Sequence, residues 1–462
     1  MLSKQWVEDI LTAALSTGGD FAEIYVEDKF NTNINLIGGK IDSSISGRDY
    51  GIGIRIFQGF NSVYAYTNEG TRDNLIATAL EAAQALKGEK KDINLNLTKD
   101  SIINSHPIVY LPQDIQKSRK VAVMKEAYDA AKNYNDLISQ VTVSYLDSDQ
   151  KILIANSEEK FIEDQRIRTR LSIEAIASNA TEMQSGFYGP GAYQGFEFLE
   201  KMDIKHYARE AARTAVTMLS AEESPSGKFP VVIDNEFGGV IFHEACGHGL
   251  EATAVAKKTS VFADKIGQQV APEIVTYIDD GTIPNAWGSL NIDDEGEKTR
   301  KNVLIENGIL KSYLIDKLNG RRMDMASTGS SRRESYKFPP TSRMTNTFIA
   351  PGKSTTEEII ANTEYGIYAK YMGGGSVMPA TGNFNFAVRE GYIIKNGKIT
   401  TPIRGATLIG NGPETLQKID MVGNNLDHGQ GMCGSASGSI PVNVGQPMLR
   451  VREITVGGRK GK

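Results

Sequence analysis

Two of the chain's five histidines and a glutamate fall within six positions, in the run Phe242-His243-Glu244-Ala245-Cys246-Gly247-His248-Gly249-Leu250-Glu251. Neutral imidazoles are common donors to zinc, and a glutamate beside the first can take a proton from a water that the ion has acidified to a pKa of about 7. The spacing constrains the backbone. In the familiar HExxH pattern the histidines are four apart, about 40° around a helix of 3.6 residues per turn, and one ion reaches both. Here they are five apart, about 140° around, so a regular helix points them to different sides. The segment must bulge or unwind between Ala245 and Gly249, and Gly247 and Gly249 permit either unwinding or a π-type bulge that brings i and i+5 into line. The competing reading is that both histidines are satisfied by ordinary hydrogen bonds.

Composition bounds the rest. A chain of 462 residues with 40% hydrophobic content can bury more than one core, and domains rarely grow past about 250 residues, so two are expected. The 51 Lys and Arg against 56 Asp and Glu give a net charge of −5 and a pI near 5.8. With no long basic cluster, direct nucleic-acid binding is disfavoured. Met1 to Leu15 has apolar residues at helical spacing, but Glu8 and Asp9 interrupt them, unlike a secretory or transit peptide. No apolar run approaches the roughly 20 residues that span a bilayer. Two cysteines, Cys246 and Cys433, exclude a disulfide scaffold and suit a reducing cytoplasm.

Glycine divides the chain, with 14 before position 226 and 32 from there on. The expected fold is α+β: an N-terminal α+β domain over residues 1–225, then a glycine-rich, mostly β domain over residues 226–462 that carries the metal-site helix. The polar segment Glu222 to Lys228 marks the boundary. In the first half, periodicity predicts helices over Ser3 to Leu15, Thr71 to Leu86, Gln116 to Asn133 and Lys205 to Leu219, with strands across Phe21 to Glu69 and Gln140 to Ser185. Ile52 to Phe57 and Arg168 to Ile173 alternate as half-buried strands do. In the second half, Phe229 to Ile233 reads as a strand feeding the motif helix, whose N-cap is Asp234 or Asn235. Asn307-Gly308 and Asn396-Gly397, each between apolar runs, are hairpin signals.

A metal held by two histidines needs a third protein ligand and an open position. His106 and His206 read as surface residues of the first domain. His428 and Cys433 share a glycine-crowded loop, where backbone can approach a site closely and a thiolate would be a soft ligand suited to zinc. The loop is equally consistent with a small buried cysteine in a tight turn. Glu251 is the rival carboxylate, otherwise a solvated helix charge.

The stretch His243 to Glu251 resembles the HExxxH signature of the TldD/PmbA family of metallopeptidases, and its TldD branch in particular. Asp279 to Asn285, Gly288 to Gly296, Gly329 to Tyr336, Arg343 to Thr347 and Gly431-Met432-Cys433-Gly434 look like further blocks of that branch, in order across nearly all of the second domain. The resemblance implies that His243, His248 and Cys433 bind Zn2+ and that Glu244 is the general base. It implies processing of small, poorly structured polypeptides, a gyrase-targeting microcin precursor and an antitoxin among them, hence the family label "modulator of DNA gyrase". It also implies a TldE/PmbA-like partner subunit, which typically lacks the histidine motif, or a homodimer. Cys246 is read as a packing residue. Arg332, Arg333, Tyr336 and His428 are donors in these blocks, assigned to the surface rather than to catalysis. The first domain is expected to supply the substrate cleft and the oligomer contacts, with the metal site facing its strands.

Two other classes compete. One is a non-enzymatic binding or modulator subunit whose metal is structural, against which Glu244 speaks, since a structural zinc has no use for an adjacent base. The other is a redox protein using both cysteines, which lack a CxxC pairing.

Overall fold

In the computed structural model, residues 1–86, 88, 95–378 and 380–458 are described; the last four positions of the expected second domain lie outside them. The first half is built on one eight-stranded sheet. Its centre is formed by the long antiparallel strands Lys40–Gln58, Phe21–Ile37, Ile138–Asn156 and Lys160–Ser178. The helices fall where periodicity places them, at Lys4–Ala14, Arg72–Gln84, Lys117–Lys132 and Ile204–Leu219. Ser3 and Asp203 cap two of them through Trp6 N (3.4 Å) and His206 N (3.0 Å).

Side chains alternate along a strand, and here the parity sorts the sheet's two faces. Even positions of Phe21–Ile37 and odd positions of Ile138–Asn156 face the helices: Ile24, Val26, Leu153 and Ala155 pack on the first helix pair, Ile34, Leu36, Val143 and Tyr145 on the second. The opposite parity faces the second half of the chain. That covering corrects one expectation. Gly51 to Phe57 is buried throughout, Arg55 with only 2% exposure, so a strand that reads as half-solvated has both faces covered.

The second half holds two large sheets and a two-stranded ribbon, Ser331–Arg332 with Thr341–Ser342. In one, Tyr365–Met378, Gly227–Ile233, Leu449–Gly457, Thr407–Asn411 and Asn383–Lys395 pair in turn, and the last pairs back to the first, closing a ring. The other, six-stranded, runs Ile309–Leu310, Lys301–Glu306, Tyr277–Asp280, Asn346–Ile349, Gly438–Gln446, Asp427–Ser435, the last an edge strand. One continuous apolar core lies between them. Both Asn-Gly pairs make the expected hairpins, with φ of 48° and 80° at Asn307-Gly308 and 51° and 68° at Asn396-Gly397, the left-handed pair a type I′ turn requires.

The halves are joined by charge as well as by apolar contact. Arg55 reaches Glu23 at 3.0 Å and Glu295 at 2.6 Å; Arg333 reaches Glu23 at 2.7 Å, and Arg166 reaches Asp294 at 2.7 Å. All of these groups are buried. Truncating one member strands its partners, so Arg55→Met should destabilise by about 3–5 kcal/mol, read as a lowered midpoint of thermal or denaturant unfolding. Arg48→Ala, which breaks the exposed pair with Asp28, should leave the midpoint nearly unchanged.

Candidate metal centre

The strand Gly227–Ile233 delivers the chain to a 3₁₀ turn, Glu236–Gly239, capped by the Asn235 backbone rather than its side chain, which instead donates to Asn425 O at 2.9 Å. An α-helix follows, but only from Val240 to Ala245. At Cys246 φ falls to −123°, and Gly247–Leu250 continues as a 3₁₀ turn. The backbone thus unwinds where the five-residue spacing demands, by tightening and not by a π bulge. The glycines have a different reason from the one expected: neither adopts positive φ. A Cβ on Gly247 would lie 2.2 Å from the Met344 sulfur, and one on Gly249 would lie 2.8 Å from the Phe262 ring. They are glycine because the core closes on them.

The break turns the rings of His243 and His248 toward each other, with centroids 5.3 Å apart and planes at 81°. Cys433, on the edge strand Asp427–Ser435, completes the group: the ligating atoms of the three residues lie within 4.8 Å of one another, and all three residues are buried. Each imidazole is held by its Nδ1. His243 Nδ1 is 2.8 Å from Thr347 Oγ1, and His248 Nδ1 donates to Glu251 Oε2 at 3.1 Å. Both Nε2 atoms therefore face the centre. His248 Nε2 lies 3.3 Å from Cys433 Sγ, while His243 Nε2 is buried without a partner. An orphaned imidazole nitrogen beside a thiol and a second imidazole is the donor set of a tetrahedral site with one position left open. The residues fit a metal ion.

Electrostatics agree. Burial alone would push the Cys433 thiol up, but His243 and His248 beside it outweigh burial and draw it down to about 3, in the range where thiolate, the ligating form, dominates. Burial likewise disfavours charge on His248, and Glu251 and Cys433 override it, raising its pKa. Cys246 is the contrast: fully buried in the apolar core, its thiol is pushed up by burial, consistent with packing. Glu244, a quarter exposed, sits with its carboxylate 3.6 Å from His248 Nε2. It opens on a groove of about 390 Å3 shared with His248, Thr253, Lys257, Val377 and Ser435.

Several sequence expectations are corrected. That groove is lined from the second half alone, not by strands of the first. Consecutive residues of a strand face opposite ways, so Met432 faces the first half and Cys433 faces away from it. Glu251 is not a solvated charge: it is buried, and its Oε2 accepts from His248 Nδ1 at 3.1 Å. Arg332 and Arg333 are buried, Arg332 donating to Met344 O at 2.6 Å and Arg333 bridging to Glu23; Tyr336 is buried too. His106 is not at the surface: it stacks on Tyr193 at 4.4 Å, accepts from Asn285 N at 3.0 Å, and is lowered to about 4 by burial. His206 is exposed, as expected, and His428, though on the same strand as Cys433, stands roughly 16 Å along it at 3.3 Å per residue. Thr347 was missed; it lies in the Arg343 to Thr347 block, but nothing in the sequence says which of its hydroxyls would meet a histidine. Among the described residues no helix is long and apolar enough to cross a membrane.

The sequence matches three domain models of one family: the PmbA/TldA metallopeptidase C-terminal domain over residues 226–458, the central domain over 110–219 and domain 1 over 22–86. A metalloprotease of Buchnera aphidicola subsp. Acyrthosiphon pisum, named as a TldD homologue, is 38% identical over 98% of this chain and 95% of its own. Among solved structures, a protein from Thermotoga maritima described as a modulator of a DNA gyrase superposes with a TM-score of 0.81 at 22% identity, covering 98% of this chain and all of the other. TldE from Thermococcus kodakarensis gives 0.78 at 19% identity, over 98% of this chain and all of its own. Such structural likeness carries the fold; the domain matches and the close relative carry the family, and this chain belongs to the PmbA/TldA (TldD/PmbA) metallopeptidases.

Proposed function

We propose that the protein is a zinc-dependent peptidase that cuts small or unfolded polypeptides, with His243, His248 and Cys433 as metal ligands and Glu244 as general base. The observation that carries the reading is the convergence of two braced imidazoles and a thiolate beside a groove-facing carboxylate. Zinc is favoured because two imidazoles and one thiolate form a mixed N/S set of intermediate softness. A zinc ion there would acidify a water and polarise the scissile carbonyl. The remaining work belongs to the chain. Glu244, next to the ligand His243 and 3.6 Å from the other imidazole, accepts the proton of the attacking water and delivers it to the leaving amine. Thr347 and Glu251 fix the ring orientations, which keeps both Nε2 atoms aimed at one point. A purely structural metal would be closed off from solvent; the groove beside Glu244 speaks for chemistry.

Substrate form follows from the groove's walls. Gly434 and Ser435 end the edge strand on one side, and Val377 stands on the other, in a stretch of strand paired, among the described residues, only with Asn383 to Phe386. Open strand edges bind extended peptides through main-chain hydrogen bonds, which demand an unfolded segment but little particular sequence. In this reading residues 1–225 supply contacts to a TldE/PmbA-like second subunit or a second copy, and the protein works in the cytoplasm.

The ligand set is tested by metal analysis of purified protein. His243→Ala, His248→Ala and Cys433→Ala should each lose bound zinc, and Glu251→Gln should weaken it by about 10–100-fold. His206→Ala should keep it, as should His106→Ala despite a loss of stability from its buried hydrogen bond. Full zinc in Cys433→Ala with none in Glu251→Ala would transfer the third place to the carboxylate. Glu244→Gln should retain metal and fold while losing about 10²–10⁴-fold in peptide hydrolysis; near-normal turnover would remove the base assignment. A stable folded protein and its denatured form, incubated side by side with the enzyme, should be spared and cleaved respectively, and equal cleavage of both would contradict the extended-strand mode.

A further inference from the structure

Between the two halves, on the side of the edge strand away from the metal group, lies a second cavity of about 380 Å3. Its wall from the first half is the polar face of the long sheet, where Gln150 stands opposite Arg166, Ser148 opposite Arg168 and Leu146 opposite Arg170. Six basic side chains line it against two acidic ones, Asp294 and Glu334. Some of that charge is cancelled: Arg166 pairs with Asp294 at 2.7 Å, and Arg333 with Glu23 at 2.7 Å. Three guanidinium groups have no carboxylate within ion-pair distance among the described residues. Arg168 donates to the carbonyls of Trp287 and Ser289, both at 3.0 Å, Arg170 to those of Gly189 and Gln430 at 3.0 and 3.1 Å, and Arg332 to that of Met344 at 2.6 Å.

Carbonyls accept hydrogen bonds but bring no counter-charge. A buried charge is costly unless it is paired, and arginine does not escape by losing its proton at neutral pH. Burial, with the repulsion among these groups, presses Arg168 down to about 10 and Arg332 to about 9. Arg332 reaches Met344 through one nitrogen only, so its fork has donors left over. Three such groups around one void favour an anion there. We infer that the cavity is a binding site for an oxyanion-bearing small ligand, carboxylate or phosphate, held between Arg168, Arg170 and Arg332. Guanidinium forks match both oxyanions in a bidentate manner, and the volume is that of a small-molecule pocket. None of these residues belongs to the peptidase assignment, so the two readings stand or fall separately.

The test is thermal unfolding of the full-length protein at fixed ionic strength, with chloride replaced stepwise by inorganic phosphate, citrate or a tetraglutamate peptide. At least one should raise the melting temperature saturably, by roughly 3 °C or more. A response to phosphate alone identifies a phosphate-bearing ligand, and a response to citrate or the peptide a carboxylate. Leu146→Glu places a carboxylate on the cross-strand row of Arg170, at a position already 38% exposed, so it should fold and abolish the response by self-occupation. Arg168→Gln should weaken it. No saturable rise with any anion, or a rise that survives intact in Leu146→Glu, would overturn the site.

Discussion

Two imidazoles five positions apart cannot sit on a regular α-helix and serve one ion, and the fold around the break at Cys246 is arranged to hold it. The segment Arg343 to Thr347 touches two members of the metal group and the break between its histidines. Thr347 meets His243 Nδ1 at 2.8 Å, Met344 packs on Gly247, and Arg343 donates to the backbone carbonyl of Cys433. Thr345 anchors the segment, its amide and hydroxyl at 2.7 and 2.8 Å from the Asp279 carboxylate. A 3₁₀ turn has poorer hydrogen-bond geometry than a helix, so it persists here through tertiary contact: Tyr277 donates to Phe242 O at 3.2 Å, and Ser260 to Gly249 O. The site is the product of this packing, and no local propensity of residues 243–248 would form it alone.

The junction between the halves follows another logic. A small apolar patch, Tyr25, Ile152, Ile154, Ile162, Ile292 and Tyr336, sits beside rows of buried arginine and carboxylate. Buried pairs add little net stability over apolar packing of the same volume, because desolvation consumes most of the Coulomb gain. Their consequence is positional: Glu23 is shared by Arg55 and Arg333, Asp294 by Arg166 and the Arg333 amide, and a one-residue slip of any strand would turn these charges toward the helices. The ladder therefore fixes how the sheet of the first half meets the second.

What the sequence makes legible is what depends on period and short range. The four long helices, the two Asn-Gly hairpins and the unwinding between His243 and His248 follow from spacing, and the α+β class with a mostly β second half follows from them. What it hides depends on what covers a face. Arg55, Arg168 and Arg332 read as outward charges because alternation tells which side a residue takes, not whether water or protein lies there. His106 reads as surface for the same reason, since its partners Asn285 and Tyr193 are 179 and 87 positions away. Glu251 reads as a rival ligand or a solvated charge, and its contact with the His248 ring depends on a ring orientation that sequence does not show. Of the site, the four residues brought together were all named from the sequence, Cys433 through family resemblance; the facing of the groove was not.

That facing comes down to the strand Asp427–Ser435, whose glycines let it be a wall with two working sides. Gly429 admits Phe237 so closely that a Cβ would lie 2.8 Å from its Cα, which pins the strand against the turn that opens the motif. Along the same strand, Met432 faces the cationic cavity and Cys433 the imidazoles. Backbone carbonyls of Gln430 and Gly431 are already taken by Arg170 and Trp287, so the interlobe side of this edge is blocked against further strands. Its end at Gly434 and Ser435, where no such donor sits among the described residues, is the part that reaches the groove beside Glu244. In the proposed reading an extended peptide would pair along this free end beside Glu244, so Cys433 and the open strand end can share one short segment.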